Sequence, residues 1–294
     1  MEGTRKSFAA LHLSVLLAGF TGLFGRLVTL HETGLVWYRM AFTSVILLIL
    51  SHGLPRIPGR KVAELAGCGA LLGLHWILFY GSIKASNVSI GVLCYALVGF
   101  FTAFFEPIIF HKRISWVEVL FSLITVSGLL CVFSFDPRYR FGIAIGVVSA
   151  AVAALYGTMN KKVSVGVGNR TVLLYEMAGG LIIVSALIPL YLRLFPAQGC
   201  VLAMHGMSNL LWLLGLSAFC TVGLYLLQIE ALRGLSAFTV NLTYNLEPCY
   251  SIILAFLFFG EGREVNTSFY VGIALVLISV GLQTWRQRRQ SVSK

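Results

Sequence analysis

Arg39, Glu106, Glu176 and Glu247 each fall inside a stretch of sequence otherwise built from apolar residues. An ionised side chain in such a setting costs about 3 kcal/mol or more in hydrocarbon, so it must face a cavity or a polar partner. Glu247 lies nearest the middle of its stretch, and Pro248 follows it. A proline removes a backbone N–H and frees a carbonyl one turn back, which makes Pro248 a candidate hinge. Glu247 is suited to bind a cationic group or a proton, with Arg39 as its charge partner. A purely structural ion pair between the two is the competing reading. Glu106 stands near the end of its stretch, within snorkelling reach of water.

Neutral polar residues form stripes at helical spacing around these charges. Gly91, Tyr95, Gly99, Thr102 and Glu106 share one narrow face, and Asn241, Tyr244, Asn245, Glu247, Pro248 and Ser251 a broader one. Ser149, Ala153, Tyr156 and Asn160 align, as do Ser217, Thr221, Tyr225 and Gln228; His75, Trp76, Phe79 and Tyr80 add a further set. The candidates for contact with a solute are Trp76, Tyr80, Tyr95, Tyr156, Tyr225, Gln228, Asn241, Tyr244 and Asn245. Glu247, Arg39 and Pro248 are the candidates for coupling or gating. A single Ser, Thr or Asn in such a stretch more often makes a helix-packing hydrogen bond. No catalytic dyad, metal-ligand spacing, C-x-x-C or Walker A pattern occurs, so neither an enzyme, a metal, a cofactor nor direct ATP drive is expected.

The elements that position these residues follow from composition. Hydrophobic residues make up 58% of the chain and charged ones 11%, with a mean hydropathy of +0.88. A water-soluble fold cannot hide that apolar surface, whereas lipid accepts it. The net charge of +11 sits in short clusters between apolar runs rather than on one basic face, which argues against nucleic acid. A membrane-crossing helix needs about 20 residues. Ten segments qualify: 8–28, 34–52, 63–83, 88–110, 116–134, 141–160, 171–192, 209–229, 236–259 and 267–285. The first run continues too far for a signal peptide and is read as a span. Arg5, Lys6, Arg56, Arg60, Lys61, Lys112, Arg113, Lys161, Lys162, Arg170, Arg233 and the basic C-terminus fall on one side. Only Arg26, Lys84, Arg138, Arg140, Arg193 and Arg263 fall on the other. The positive-inside rule then places both termini in the cytoplasm.

The chain also repeats itself. AGFTGLFGRLV at 18–28 aligns with AALYGTMNKKV at 153–163, LVWYRM at 35–40 with VLLYEM at 172–177, and 82–112 with 231–261. Each half holds five spans. Five is odd, so the halves must lie upside down relative to each other. The expected architecture is an all-α integral membrane protein with ten transmembrane helices in two inverted five-helix repeats, 1–135 and 136–294. Such folds place a solute site near mid-membrane between the halves and expose it to each side in turn. Gly69-x-x-x-Gly73 and Gly142-x-x-x-Gly146 permit close helix approach, within one chain or in a weak homodimer.

Two five-span halves, an Arg early in the second span (Tyr38-Arg39-Met40) and FFGE at 258–261 resemble the drug/metabolite transporter superfamily, EamA family. The YddG-type aromatic amino acid exporters of that family are the structural analogy. The resemblance covers nearly the whole chain. It implies a central cavity walled mainly by spans one, three, four, six, eight and nine, in a secondary transporter that exports an amino acid or similar metabolite. Protons are a candidate coupling ion, the bilayer is the setting, and a bacterial inner membrane is the expected location. A channel or receptor-like scaffold is the alternative. The sequence departs from the family pattern at Gly99, where a proline is common, and at Glu247, where a neutral Ser or Thr often stands.

Overall fold

A computed structural model describes residues 2–133, 137–194, 196–197, 199–204, 206–235, 240, 243–244, 246–263, 265 and 267–292. The first half comprises α1 (Glu2–Leu27), α2 (Glu32–Leu50), α3 (Gly59–Ala85), α4 (Val88–Tyr95), α5 (Val98–Phe110) and α6 (Trp116–Phe133). The second comprises α7 (Arg140–Val163), α8 (Asn169–Leu194), α9 (Met207–Ser217), α10 (Leu224–Gly234), α11 (Glu247–Phe259) and α12 (Thr267–Val292). Among the described residues, seven helical stretches are long and apolar enough to cross a membrane. Here α4–α5 and α9–α10 each count as one stretch. Three shorter apolar helices lie at 116–131, 247–259 and 267–279.

The surface is apolar where a soluble protein would be polar. Val45, Ile49, Leu120, Ile182, Leu190, Leu211, Ile253 and Leu257 are exposed, while Ser14, Thr43, Ser82, Ser149, Glu176 and Ser217 are buried. Hydrocarbon solvent requires that inversion. The chain is an all-helical, multi-pass integral membrane protein.

The start of α1 lies on the same face as the ends of α5 and α7, here the termini face. Lys61 at the start of α3 donates to Val163 O at the end of α7, and Lys161 pairs with Glu106 near the end of α5. On the opposite face, Lys84 at the end of α3 donates to Val28 O and Leu30 O after α1.

Helices of the two halves interleave. The contacts between halves keep their pattern when the halves are exchanged. α1 packs on α10 as α7 packs on α3, α1 on α11 as α7 on α5, and α2 on α9 as α8 on α3. The pairs α2–α8 and α6–α12 map onto themselves. Glycines permit the tightest of these contacts. A Cβ on Gly69 would collide with the Glu176 carbonyl of α8, and Gly142 and Gly146 seat α7 against Ser82, Ser86 and Cys94. Both spaced glycine pairs therefore pack helices within the chain.

Three expectations change. The fourth span is not one straight helix. Ala96 and Leu97 donate to the carbonyls of Leu93 and Cys94 in a tighter turn, which shifts the face carrying Tyr95 relative to that carrying Thr102 and Glu106. Pro248 is not inside a continuous helix but in the first turn of α11. Its missing N–H has no intrahelical partner to lose there, so it starts a helix rather than kinking one. Finally, Ala218–Gly223 form a π-helical turn between α9 and α10, which inserts one residue into the eighth span.

Candidate functional site

A central cavity of about 400 Å³ lies between the halves. Ala18, Thr21 and Gly22 of α1, Arg39 of α2, and Leu72, His75, Trp76 and Phe79 of α3 wall it from the first half, with Val92 and Tyr95 of α4. The second half contributes Tyr156, Leu173, Cys220, Thr221, Leu224, Tyr225, Gln228, Tyr244, Glu247 and Ser251. Of the residues singled out by sequence, Trp76, Tyr95, Tyr156, Tyr225, Gln228, Tyr244, Arg39 and Glu247 meet on this wall. Tyr80 stands behind it, fully buried. Pro248 lies off the wall, next to Glu247. Asn241 and Asn245 lie outside the described residues.

Arg39 is 3% exposed and is held from three sides. Nη1 donates to Tyr80 Oη at 2.7 Å, Nε donates to Thr221 Oγ1 at 3.1 Å, and the guanidinium lies 3.7 Å from the Trp76 ring centroid. The π turn makes this possible. Thr221 Oγ1 donates to the Leu216 carbonyl five residues back, leaving its oxygen to accept from Arg39, and Ser217 Oγ donates to the Arg39 carbonyl. The remaining N–H donors of the guanidinium have no acceptor among the described residues. A guanidinium fixed by its rear and open in front is arranged to grip a carboxylate in a two-pronged contact.

Glu247 faces the same cavity from the first turn of α11. Among the described residues it makes no hydrogen bond and no ion pair within 4 Å; Arg39 acts on its charge from across the cavity rather than in contact. Arg39 is engaged by Tyr80, Thr221 and Trp76 instead. The cavity thus presents one open cation and one unpaired carboxylate on a wall of rings. His75, Phe79 and Tyr95 cluster with centroids 5.5–6.1 Å apart, and Ser149 fixes His75 with Oγ 2.9 Å from Nδ1. Tyr225 Oη is buried with no partner among the described residues.

A second cavity of about 270 Å³ shares Tyr156, Leu173, Tyr225 and Gln228 with the first and runs past Asn160 and Glu176 to Ser164 and Asn169 near the termini face. On the opposite face buried contacts tie the two halves together. Glu261, 0% exposed, accepts from Arg26 Nη1 at 2.5 Å, Val88 N at 3.0 Å, Ser89 N at 2.9 Å and Ser89 Oγ at 2.6 Å. A residue beyond α11 thereby caps α4 and clamps α1. Asn209 accepts from Thr29 N at 2.9 Å, and Tyr38 Oη donates to Leu202 O at 2.8 Å. His31 caps α2 by accepting from Thr33 N. Burial pushes its imidazole below the ordinary value; Glu32 opposes this and Lys84 adds to it.

The wall exceeds the expected set of spans. The second span supplies Arg39 and the seventh Leu173, and the first contributes Ala18, Thr21 and Gly22. Glu261 reads in the sequence as part of a loop, and nothing local marks it as a clamp.

The sequence profile of the EamA-like transporter family matches twice, over residues 6–134 and 140–285. The chain belongs to the EamA-like transporter family. An uncharacterized transporter of Clostridium kluyveri is 22% identical over 237 residues, covering 76% of this chain and 72% of its own. The uncharacterized transporter YxxF of Bacillus subtilis is 22% identical over 302 residues, covering 99% and 93%. A crystal structure of a further protein, 17% identical, aligns over 98% of this chain and 99% of its own with a TM-score of 0.62. At that identity the likeness is one of fold. As an EamA-like protein the chain is a transporter, with a small solute and the bilayer as its partners.

Proposed function

We propose that this EamA-like transporter is a secondary exporter of a zwitterionic metabolite with an apolar or aromatic side chain, such as an amino acid. The observation that carries the reading is the central cavity with Arg39 open on one half, Glu247 unpaired on the other, and aromatic walls between. Arg39 binds the solute carboxylate, Glu247 its ammonium, and Trp76, Phe79, Tyr95 and Tyr156 the side chain. A solute carrying both charges satisfies both groups at once, and a buried charge left unpaired is costly.

Ten spans in two inverted halves provide the motion. The exchange pattern of helix contacts and the two profile matches support that arrangement. The side cavity reaching toward Asn169 and the contacts at Glu261 support a conformation whose path leads to the termini face. Alternating access follows if those contacts and the path trade sides. The clustering of Lys and Arg supports a cytoplasmic termini face, and the bacterial relatives support a bacterial inner membrane.

The test is counterflow and uptake in proteoliposomes with a panel of labelled amino acids. Saturable flux of phenylalanine or leucine, weakened when Glu247→Gln removes the carboxylate, is the expected result. Flux that never saturates, or an ion current, would point to a channel and sink the proposal. Flux in Glu247→Gln equal to wild type would remove the carboxylate from the site.

A further inference from the structure

The repeat that aligns LVWYRM with VLLYEM places Arg39 opposite Glu176. The structure keeps them equivalent. Arg39 stands seven residues after the first residue of α2, and Glu176 seven residues after the first residue of α8. Each is therefore about 10 Å along its helix at 1.5 Å per residue. α2 and α8 start on opposite faces, so the cation and the carboxylate lie at matching depths from opposite sides.

Their surroundings differ in kind. Glu176 is 1% exposed. Tyr156 Oη donates to its Oε2 at 3.2 Å and Asn160 Nδ2 to its Oε1 at 2.7 Å, and the same Asn160 amide lies 2.9 Å from Tyr156 Oη. Both donors are neutral. No lysine, arginine or histidine pairs with Glu176 among the described residues. The titratable groups around it are Cys68 on α3, Tyr156 on α7 and Tyr225 on α10. Glu64 lies a turn before Cys68 on α3, and Arg170 is exposed at the start of α8 itself. On α2, Arg39 is turned to Tyr80 and Thr221. The close approach at Gly69 packs the Glu176 backbone against α3, and its side chain lines the side cavity. A buried carboxylate with only neutral partners carries an unbalanced charge at a cost of several kcal/mol, about 3 or more, unless a cation joins it.

We propose that Glu176 is the proton site of the transport cycle, separate from the solute site at Arg39 and Glu247. This extends the transport reading above and depends on it for the coupling step. The proton comes from water in the side cavity on the termini face and converts the carboxylate to the acid. The acid O–H then donates to Tyr156 Oη, which still accepts from Asn160. The Tyr156 hydroxyl proton, displaced from Glu176, turns into the central cavity that Tyr156 also lines. Protonation at one site thus changes the hydrogen-bond donor offered at the other. No charge moves through Tyr156; each cycle binds one proton at Glu176 from one face and releases it to the other when the conformation exchanges.

Two measurements test this. In the first, infrared spectra of the purified protein in lipid bilayers are compared from about pH 5 to about pH 9, with the proton alone as probe. A protonated-carboxyl band that titrates in this range is expected in Glu247→Gln and is lost when Glu176→Gln is added to it. The same band in the double variant overturns the proposal, whether or not any solute is transported. In the second, a pH gradient of about one unit drives accumulation of labelled phenylalanine in proteoliposomes, up to about tenfold for one coupled proton. Glu176→Gln is expected to keep phenylalanine exchange without a gradient and to lose the gradient-driven accumulation. Wild-type accumulation in that variant also overturns the proposal. Tyr156→Phe, which keeps the carboxyl but severs the relay, is expected to keep the infrared band and lose the drive, and this covers the case in which Glu176→Gln folds poorly. Wild type without saturable phenylalanine flux would refute the transport reading and leave the infrared result to judge Glu176.

Discussion

Replacing Glu261 with alanine strips the clamp on the face opposite the termini. Val88 N and Ser89 N, both buried at the start of α4, lose their acceptor. Each orphaned buried N–H costs about 1–3 kcal/mol. Arg26 also loses its partner, but its side chain is 38% exposed, so water compensates and that pair adds less than about 1 kcal/mol. Asn87 still caps Ile90 N, so α4 frays rather than unwinds. The sum is about 2–7 kcal/mol, lost only in the conformation with the clamp closed. If about 3 kcal/mol of it shifts the balance between conformations, the fraction open to that face rises by about 150-fold. Cys220 on the cavity wall reports the opening. In a variant retaining Cys220 as its one cysteine, a membrane-impermeant maleimide applied to the face opposite the termini should label it far faster after Glu261→Ala. Glu261→Gln, which keeps an acceptor oxygen, should fall between. An unchanged labelling rate beside a lowered melting temperature would make Glu261 a structural cap and refute the clamp.

The remaining expectations concern packing, recognition and pH. Gly69→Ala should lower the melting temperature, because overpacking against the α8 backbone costs about 1–3 kcal/mol. Gly67→Ala, one helix position pair away with nothing within 4 Å of its Cβ, should raise stability by about 0.5–1 kcal/mol; equal shifts would refute the close-packing argument. Arg39→Lys should raise the KM for the solute by about tenfold, equivalent to 1.4 kcal/mol, since an ammonium cannot keep the Tyr80 and Thr221 contacts while gripping a carboxylate. An unchanged KM would place recognition elsewhere. His31 titrates below its unfolded value of 6.5, so on acidification the unfolded chain takes up its proton first. The stability that neutral His31 contributes is therefore present above about pH 6.5 and lost as pH falls below it. His31→Asn keeps a cap without titrating and should flatten that part of the melting profile; a parallel profile would exclude His31.

Much of this molecule is legible in the residues, for a physical reason. In lipid, a polar side chain is expensive wherever it points outward, so Arg39, Trp76, Tyr95, Tyr156, Tyr225, Gln228, Tyr244 and Glu247 announce an interior wall by their type and spacing. The repeat is legible because the duplicated spans keep non-aliphatic residues in order, and even the backbone at the ends of α5 and α11 agrees. His111 and Gly260, aligned by the repeat, both end their helices in the left-handed conformation. What the sequence hides is phase and partnership. One residue inserted at Ala218–Gly223 does not disturb an apolar run, yet it decides where Thr221 points. Pro248 marks a break, but whether it bends a helix or begins one depends on the residues before it. Glu261 looks like a loop acid because its partners, Arg26, Val88 and Ser89, come from the other half of the chain.

The π turn also bears on how such a protein could acquire a different cargo. One added residue rotates everything after it by about 100° relative to what precedes it, while lengthening the span by only about 1.5 Å. Deleting a single residue within Ala218–Gly223 would turn α10 so that Tyr225 and Gln228 leave the wall and their neighbours replace them. The membrane would still be crossed and the loops would keep their places. Point substitution changes one lining residue at a time; here a single codon gained or lost exchanges a whole face, and the duplicated counterpart in the other half would remain as an unaltered copy of the original register.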